Sequence, residues 1–222
     1  RSGRKRSGIP VAAIVGYTNA GKSTLLNKLT GAGVLEEDKL FATLDPVTRA
    51  LVLPQGQEIL LTDTVGFIQK LPHHLVEAFK STLEEAKYAD FILHVVDMSS
   101  PRMEEQMHVV YETLRRLEVM NKPVITVFNK IDRTGEGQIV RDFQAERTVR
   151  VSARTGEHLE ELLKAMEEVL REQKIYIERL YSYSEAGKVQ LIRKFGELVS
   201  EEWEENGVRI RAYVPREIYG KV

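Results

Sequence analysis

The sequence predicts an α/β fold, a mostly parallel sheet with helices on both faces, followed by a small α+β region at the carboxyl end. Short, near-continuous apolar runs, typical of strands buried on both faces, occur at residues 11–15, 91–96 and 123–128. Stretches with helical spacing of apolar residues separate these runs, and strands that alternate with helices build parallel sheets. After residue 172 the alternation at 175–183 and 208–214 instead predicts a smaller unit with its own strands.

A glycine-rich motif follows the first strand, which we place at residues 9–15. Residues 16–24 fit the pattern G-x-x-x-x-G-K-[ST], the phosphate-binding P-loop. The flanks agree, because a strand, a glycine loop and a helix ending near residue 30 point backbone N–H groups and a helix N-terminus at an anion. A chance Lys-Ser after a glycine turn is the alternative. The expected phosphate-binding residues are Gly16, Tyr17, Thr18, Asn19, Ala20, Gly21, Lys22, Ser23 and Thr24.

The other elements of the large region follow in order. Residues 34–49 show no clear period, and residues 50–53 and 58–62 read as an antiparallel hairpin. Further on, the pattern predicts a helix at 72–87, a strand at 91–96, a helix at 103–117, strands at 123–128 and 148–151, and a helix at 159–170. Ligands of such sheets bind at the carboxyl ends of the strands. We therefore expect one ligand to be surrounded by the residues that follow strand ends: Gly16, Asp63, Asn129 and Ser152.

Four positions have the chemistry for Mg²⁺ and the γ-phosphate of a nucleoside triphosphate. Ser23 offers a hydroxyl to the metal, and Asp63 ends a strand beside the phosphate loop, where an acid usually holds Mg²⁺. Thr43, in the irregular stretch that includes Phe41, can complete the metal sphere. Gly66 can bring its backbone N–H to the γ-phosphate, and a segment ordered by that phosphate and released on hydrolysis is a switch. The predicted metal ligands are thus Ser23, Thr43 and Asp63.

The motif Asn129-Lys130-Ile131-Asp132 indicates which base is bound. The carboxylate of Asp132 can accept two hydrogen bonds from N1–H and N2–H₂ of guanine, whereas adenine would leave it desolvated at a cost of about 1–3 kcal/mol or more. Asn129 can tie the loops together, and the stem of Lys130 can cover the base. Ser152 and Ala153 are expected to add a backbone N–H for guanine O6.

Together these motifs resemble those of the HflX family of ribosome-associated GTPases, within the translation-factor class of P-loop GTPases. The segments that carry the resemblance are 16–24, Phe-Ala-Thr-Leu-Asp-Pro-Val-Thr-Arg at 41–49, and Asp-Thr-Val-Gly-Phe-Ile at 63–68. The resemblance covers about residues 9–172. It implies a GTP-binding G domain, GTP or GDP and Mg²⁺ as ligands, and association with the rRNA and proteins of the large ribosomal subunit. Some members split stalled ribosomes, and members normally carry an N-terminal domain that this sequence is expected to lack.

Catalysis is where the sequence departs from Ras-like enzymes. Phe67 follows the Asp-x-x-Gly segment, where those enzymes place the glutamine that orients the attacking water, so we expect slow intrinsic hydrolysis. Asn19 resembles the P-loop asparagine that helps hold K⁺ in potassium-stimulated GTPases; the alternative is that it only braces the loop. Ribosomal contact is another source of activation. The residues expected to act in hydrolysis are Asn19, Lys22, Thr43 and Gly66.

Composition and charge set the remaining expectations. The 32 Lys and Arg nearly balance the 33 Asp and Glu, there is no cysteine, and no apolar run is long enough to span a membrane. We therefore expect a cytoplasmic protein with three parts: a basic linker at 1–8, a G domain at 9–172, and a strand–helix–strand domain at 173–222. In that last part, a helix is predicted from the spacing of Leu191 or Ile192, Phe195, Leu198, Val199 and Trp203.

Two other functions stay open at this point. A P-loop phosphotransferase that uses ATP would need an acceptor site and an arginine-rich lid, and no segment reads as either. A nucleotide-dependent binding module with negligible turnover is conceivable because of Phe67. The sequence favours a switch that binds and hydrolyses GTP.

Overall fold

In a computed structural model of the chain, residues 8–31, 47–63, 84–135 and 137–222 are described. They form two compact units, Pro10–Met166 and a second that joins Ile9 to Glu167–Val222. The division between these units falls inside a helix, Leu159–Glu172. Among the described helices, none is long and apolar enough to cross a membrane.

The larger unit is built on a six-stranded sheet. Its strands are β1 (Val11–Gly16), β2 (Val47–Val52), β3 (Glu58–Asp63), β4 (Phe91–Asp97), β5 (Val124–Asn129) and β6 (Arg147–Arg150). The order across the sheet is β2-β3-β1-β4-β5-β6. All neighbours run parallel except β2 and β3, which form the antiparallel hairpin at one edge. The predicted α/β fold with a mostly parallel sheet is confirmed.

Helices alternate with these strands as predicted. They are α1 (Lys22–Thr30), α2 (Met103–Arg116) and α3 (Leu159–Glu172), with 3₁₀ turns at Glu84–Tyr88 and Ile131–Arg133. Of the helix predicted at 72–87, residues 72–83 lie outside the described part of the chain. One side of the sheet packs on α2, where Ala13 and Ile92 lie in a cluster with Val110 and Leu114.

The continuous apolar runs are explained by burial on both faces of the sheet. Residues 12–15 of β1 are each 0% exposed, and so are Phe91, Ile92 and Leu93 of β4. Successive side chains of a strand point to opposite faces, so full burial of neighbours means that both faces are covered. The sheet therefore presents only its edges and strand ends to a ligand.

The smaller unit contains a three-stranded antiparallel sheet. Its elements are β7 (Ile175–Tyr181), α4 (Ala186–Phe195), β8 (Glu197–Glu204), β9 (Gly207–Val214) and α5 (Arg216–Tyr219), and the strand order is β7-β9-β8. Alternate residues of β9, such as Ile210 and Ala212, are fully buried in a cluster that includes Ile192 of α4.

The helix predicted from Leu191 or Ile192 to Trp203 is confirmed only as far as Phe195 and is wrong beyond it. The helix α4 ends at Phe195, and Leu198, Val199 and Trp203 lie in β8. Gly196 has extended backbone, and a Cβ there would lie 2.8 Å from the carbonyl oxygen of Tyr213. A β-bulge between Leu198 and Ser200 disrupts the alternation, so the apolar residues mimic helical spacing.

Candidate nucleotide-binding site

The two glycines of the phosphate loop stand where a side chain would collide with its surroundings. Gly16 ends β1, and a Cβ there would lie 2.7 Å from the carbonyl oxygen of Val95. Gly21 precedes α1 with a φ of 100°, and its Cβ would lie 2.3 Å from Nδ2 of Asn129. Both positions thus require glycine, one for close backbone approach and one for conformation as well.

The amino end of α1 brings a buried lysine and a hydroxyl beside an acid. Asp63 ends β3, which pairs with β1 so that Asp63 lies beside Ile14. Nζ of Lys22 lies 3.9 Å from Oδ1 of Asp63, and Oγ of Ser23 donates to Oδ2 at 3.5 Å. Burial lowers the pKa of Lys22, and the charge of Asp63 opposes that shift. The ammonium group of Lys22 and the oxygen atoms of Ser23 and Asp63 therefore lie next to the loop that would hold phosphates.

Asn129 links the phosphate loop to the loop after β6. The side chain is only 3% exposed. Its Nδ2 donates to the carbonyl oxygen of Ala20 at 2.9 Å, and its Oδ1 accepts from the backbone N–H of Ala153 at 2.9 Å. One amide thus holds together two loops that lie far apart in sequence.

Lys130 joins the phosphate loop to the end of β4. Its Nζ donates to the carbonyl oxygen of Asn19 at 2.7 Å and to Oδ2 of Asp97 at 2.9 Å. Lys130 has a φ of 71° and Asn19 a φ of 65°, both in the left-handed region that residues with a Cβ rarely adopt. Two hydrogen bonds at Nζ therefore hold the side chain of Lys130 in one direction.

Asp132 is held by the loop after β6. Its Oδ1 accepts a hydrogen bond of 2.8 Å from Oγ of Ser152, and Nε of Arg154 lies 3.4 Å from Oδ2. Ser152 is fully buried, and its Oγ also accepts from the N–H of Thr155 at 3.1 Å. The carboxylate that was expected to choose the base is thus fixed in orientation.

The backbone N–H groups expected to meet guanine O6 have acceptors within the protein in this structure. The N–H of Ser152 donates to the carbonyl oxygen of Glu157 at 3.1 Å, and that of Ala153 donates to Asn129. A role for either N–H toward the base stays a prediction. Ser152 contributes through its hydroxyl, a role that the sequence reasoning missed.

The remaining predicted residues are less informative. Tyr17 packs partly against the α2 cluster, Ala20 is buried, and Thr18 and Thr24 are half-buried in the loop and in α1. Phe41, Thr43, Gly66 and Phe67 lie outside the described residues.

The sequence reasoning also passed over Asp97 and Arg154. Each is adjacent to a predicted site residue, Asp97 to Lys130 and Arg154 to Asp132. The available signal for Asp97 was its place directly after a buried parallel strand. The sequence around Arg154 offered no comparable signal. Three quarters of its side chain is exposed, which is usual for an arginine.

The donors near α1 fit Mg²⁺ held mainly by phosphate and water. Ser23 and Asp63 offer hard oxygen atoms, which Mg²⁺ prefers, and it takes only one or two protein ligands beside substrate phosphates. In the part of the chain that is described, no group of three or more acidic, His or Cys side chains could hold a metal without such help. The site therefore suits a metal that arrives with its nucleotide.

Comparison with known proteins agrees with this geometry. A family model described as "50S ribosome-binding GTPase" matches residues 11–130. The chain belongs to this family. The match contains the phosphate loop and β1 to β5, up to Lys130.

Curated relatives carry the family name that the motifs suggested. A protein named GTPase HflX from Lacrimispora saccharolytica is 64% identical over 222 residues, which is 100% of this chain and 52% of that protein. The predicted resemblance to HflX is confirmed, and the chain spans about half the length of this relative.

Solved structures show the same fold. A GTP-binding protein from Sulfolobus solfataricus in complex with GDP is 30% identical with a TM-score of 0.59, over 75% of this chain and 54% of that one. A single-residue variant of Era from Aquifex aeolicus, bound to GDP and AlF₄⁻, is 32% identical with a TM-score of 0.57, over 72% of this chain and 56% of that one.

Proposed function

We propose that the protein is a switch that binds GTP with Mg²⁺, hydrolyses it slowly by itself, and associates with the large ribosomal subunit. The observation that carries the proposal is the double hydrogen bond of Asn129 to Ala20 and Ala153. These bonds join the phosphate loop, the Asn-Lys-Ile-Asp segment and the Ser152 loop. A phosphate-binding loop and a base-reading carboxylate at the same strand ends suit one guanine nucleotide.

Each end of the nucleotide has its own residues in this proposal. At the phosphates, the N–H groups at the start of α1 and the charge of Lys22 attract the anion. Ser23 and Asp63 would hold Mg²⁺, which would neutralise charge on the β- and γ-phosphates. At the base, Asp132 accepts from guanine while Ser152 keeps its carboxylate oriented.

Base choice is tested by substituting Asp132 with Asn. The variant should bind GTP about a hundredfold more weakly and bind xanthosine triphosphate instead, because xanthine offers an acceptor where guanine has its N2–H₂ donors. Calorimetry with GTP, ATP and xanthosine triphosphate measures the three affinities. Tight binding of ATP by the unsubstituted protein would favour a phosphotransferase and overturn the guanine assignment.

Hydrolysis and ribosome binding need separate measurements. Single-turnover hydrolysis in KCl and in NaCl, with and without large subunits, separates a slow GTPase from a module with no turnover. A rate rise in KCl that is lost in Asn19→Ala would support K⁺ as a cofactor. Co-sedimentation with large subunits in a non-hydrolysable GTP analogue, compared with GDP, tests the partner. We propose a cytoplasmic location on the same ground, because the ribosome is the proposed partner.

The membership of a ribosome-binding family and the HflX relatives support this reading of the partner. The GTP-bound form is the one expected to associate, because the switch residues Thr43 and Gly66 respond to the γ-phosphate. Equal sedimentation in both nucleotide states would contradict a switch. Ribosome splitting or rescue is the further role that we propose for this switch.

A further inference from the structure

Asp97 occupies a position that the proposed function leaves unexplained. It ends β4 and lies beside Asn129 at the end of β5. Its Oδ1 accepts from the backbone N–H of Ser99 at 2.9 Å and from Oγ of Ser99 at 2.5 Å, while Oδ2 accepts from Nζ of Lys130 at 2.9 Å. Oδ1 of Asp97 thus binds Ser99 in the adjacent turn, whereas Oδ2 binds Lys130 in the Asn-Lys-Ile-Asp segment.

Among the described interactions, the Asp97 side chain contacts the Asn-Lys-Ile-Asp segment only through Lys130. Lys130 in turn contacts the phosphate loop. The resulting chain runs from Asp97 through Nζ of Lys130 to the carbonyl oxygen of Asn19. Both Lys130 and Asn19 have left-handed backbone. Residues with a Cβ hold that conformation only where the surroundings fix it. The chain of contacts joins these two strained positions.

The ion pair within this chain is well formed. The side chains of Lys130 and Asp97 are 19% and 18% exposed, so solvent screens their contact only partly. Partial burial would by itself raise the pKa of Asp97, but hydrogen bonds from Ser99 and Lys130 outweigh it and hold the pKa below its usual value. Asp97 is therefore an anion at neutral pH and attracts the lysine whether or not nucleotide is bound.

We propose that Asp97 is a positioning residue for guanine nucleotide binding, which acts by holding Lys130 across the base site and against the phosphate loop. The inference rests on the proposed function for its consequence, namely slower release of nucleotide. The placement of Lys130 itself does not depend on nucleotide. A purely local role, in which Asp97 only caps the turn at Ser99, is the alternative that the experiments must separate.

The first experiment uses the full chain without nucleotide. Acetylation of lysines with an amine-reactive ester, followed by mass spectrometry, gives the labelling rate of Lys130 relative to Lys164 in the same sample. An amine held by a carboxylate and a carbonyl reacts slowly, because it must give up these hydrogen bonds before it can attack the ester. In Asp97→Ala the rate at Lys130 should rise at least about threefold, and in Ser99→Ala it should change little. An unchanged rate in Asp97→Ala would overturn the proposal even if the protein binds no guanine nucleotide at all.

The second experiment is a double-mutant cycle on the release of a fluorescent GDP analogue. Asp97→Ala should speed release about tenfold, which corresponds to about 1.4 kcal/mol. When Lys130 is already Ala, the same change at Asp97 should alter release less than about twofold, because the group through which it acts is gone. Asp97→Asn keeps an acceptor for Ser99 but loses the charge. Its release rate should lie between those of the unsubstituted protein and Asp97→Ala.

Each outcome has one meaning. Equal effects of Asp97→Ala with and without Lys130 would show that Asp97 acts only on the turn at Ser99, and the proposal would fail. If Asp97→Ala does not fold, Asp97→Asn carries both measurements. If the unsubstituted protein fails to bind the GDP analogue, the proposed function fails, while the labelling rates still decide whether Asp97 positions Lys130.

Discussion

Nδ2 of Asn129 lies so close to Gly21 that a Cβ on the glycine would be 2.3 Å away from it. The same nitrogen donates to the carbonyl oxygen of Ala20. The missing side chain of one residue and the amide of the other are therefore parts of one arrangement. A methyl group at Gly21 would displace the amide that joins the two loops.

We expect Gly21→Ala to abolish tight guanine nucleotide binding. Gly31→Ala is the matched control, because Gly31 also has a positive φ, of 66°, but has nothing within 4 Å of its would-be Cβ. The left-handed conformation should cost either variant about 1 kcal/mol of unfolding free energy. Only Gly21→Ala should lose nucleotide affinity, by about a hundredfold in calorimetry, because only there does the methyl group disturb the binding loops. Similar affinities in the two variants would refute the clash.

Asn129→Ala should destabilise the protein in the absence of nucleotide. The change leaves the carbonyl of Ala20 and the N–H of Ala153 without their partner in a buried place, at a cost of about 1–3 kcal/mol each. Asn129→Asp is the control that keeps an acceptor for Ala153 but no donor for Ala20. Urea unfolding should place both variants below the unsubstituted protein in stability. A fully stable Asn129→Ala would mean that the two loops do not depend on this amide.

Ser152→Ala should weaken GDP binding by about fivefold to tenfold. The substitution removes the hydroxyl that donates to Asp132 at 2.8 Å and orients its carboxylate. A hydrogen bond to a charged group contributes about 1.5–3 kcal/mol to stability. Only part of that free energy affects binding, because the protein without nucleotide loses the same bond. Thr155→Ala alters the same loop without touching Asp132 and should bind normally. Calorimetry on both variants measures this, and equal losses would assign the effect to the loop as a whole.

His94 should make stability depend on pH. Burial lowers the pKa of His94 to about 4, and the charge of Asp142 opposes that shift. Because the unfolded histidine takes up a proton near its ordinary pKa of 6.5, the unfolded state binds more protons between pH 6.5 and 4. Stability is therefore fully present above pH 6.5 and is lost as pH falls, by up to about 1.4 kcal/mol per pH unit.

The variant that isolates this effect is His94→Phe. The ring of His94 meets Tyr111 edge-on at 5.0 Å, and its Nδ1 has no hydrogen-bond partner among the described residues, so phenylalanine can replace the contact. Urea unfolding at pH 7 and pH 5 should show a smaller loss for the variant by about 1–2 kcal/mol. Identical pH dependence in the two proteins would assign acid sensitivity to carboxylates instead.

Gly207→Ala should unfold the smaller unit. Gly207 has a φ of 154°, and a Cβ there would lie 2.0 Å from the carbonyl oxygen of Tyr181, which β9 must approach to pair with β7. Trp203 is the single tryptophan of the chain and lies in β8, so its fluorescence reports on this sheet. Gly187→Ala, in α4 with open space around it, is the control and should leave the unfolding midpoint unchanged or higher. A normal midpoint for Gly207→Ala would contradict the pairing.

The sequence predicted the larger unit well because its strands are buried on both faces. Full burial demands uninterrupted apolar residues, as at Phe91 to Leu93, and such runs cannot be mistaken for loops. The half-buried strand β8 was missed for the opposite reason. Its bulge after Leu198 shifts the alternation, and Trp203, two thirds exposed, happens to continue the spacing of α4.

The candidate site was predictable where a residue type has a single chemical use in a fixed pattern. Lys22 and Asp132 are such residues. The roles of Asp97 and Ser152 depend on which side chain meets which across two strand ends, and that pairing is set by register rather than by local sequence. The donor roles expected for Ser152 and Ala153 stay predictions, and in this structure the N–H of Ser152 donates to Glu157 while that of Ala153 donates to Asn129.

The antiparallel pairing of β2 with β3 places Val47 opposite Asp63 and Val52 opposite Glu58. The turn at residues 53–57 is thus at the far end of the ladder from the carboxylate, about 20 Å away along a six-residue strand. Yet one inserted residue in that turn would shift every partner by one place and turn alternate side chains over. Because the parallel pairing with β1 holds β3 in place, that shift would displace β2 and leave Asp63 beside Ile14, so changing the length of this remote turn should leave magnesium affinity unchanged.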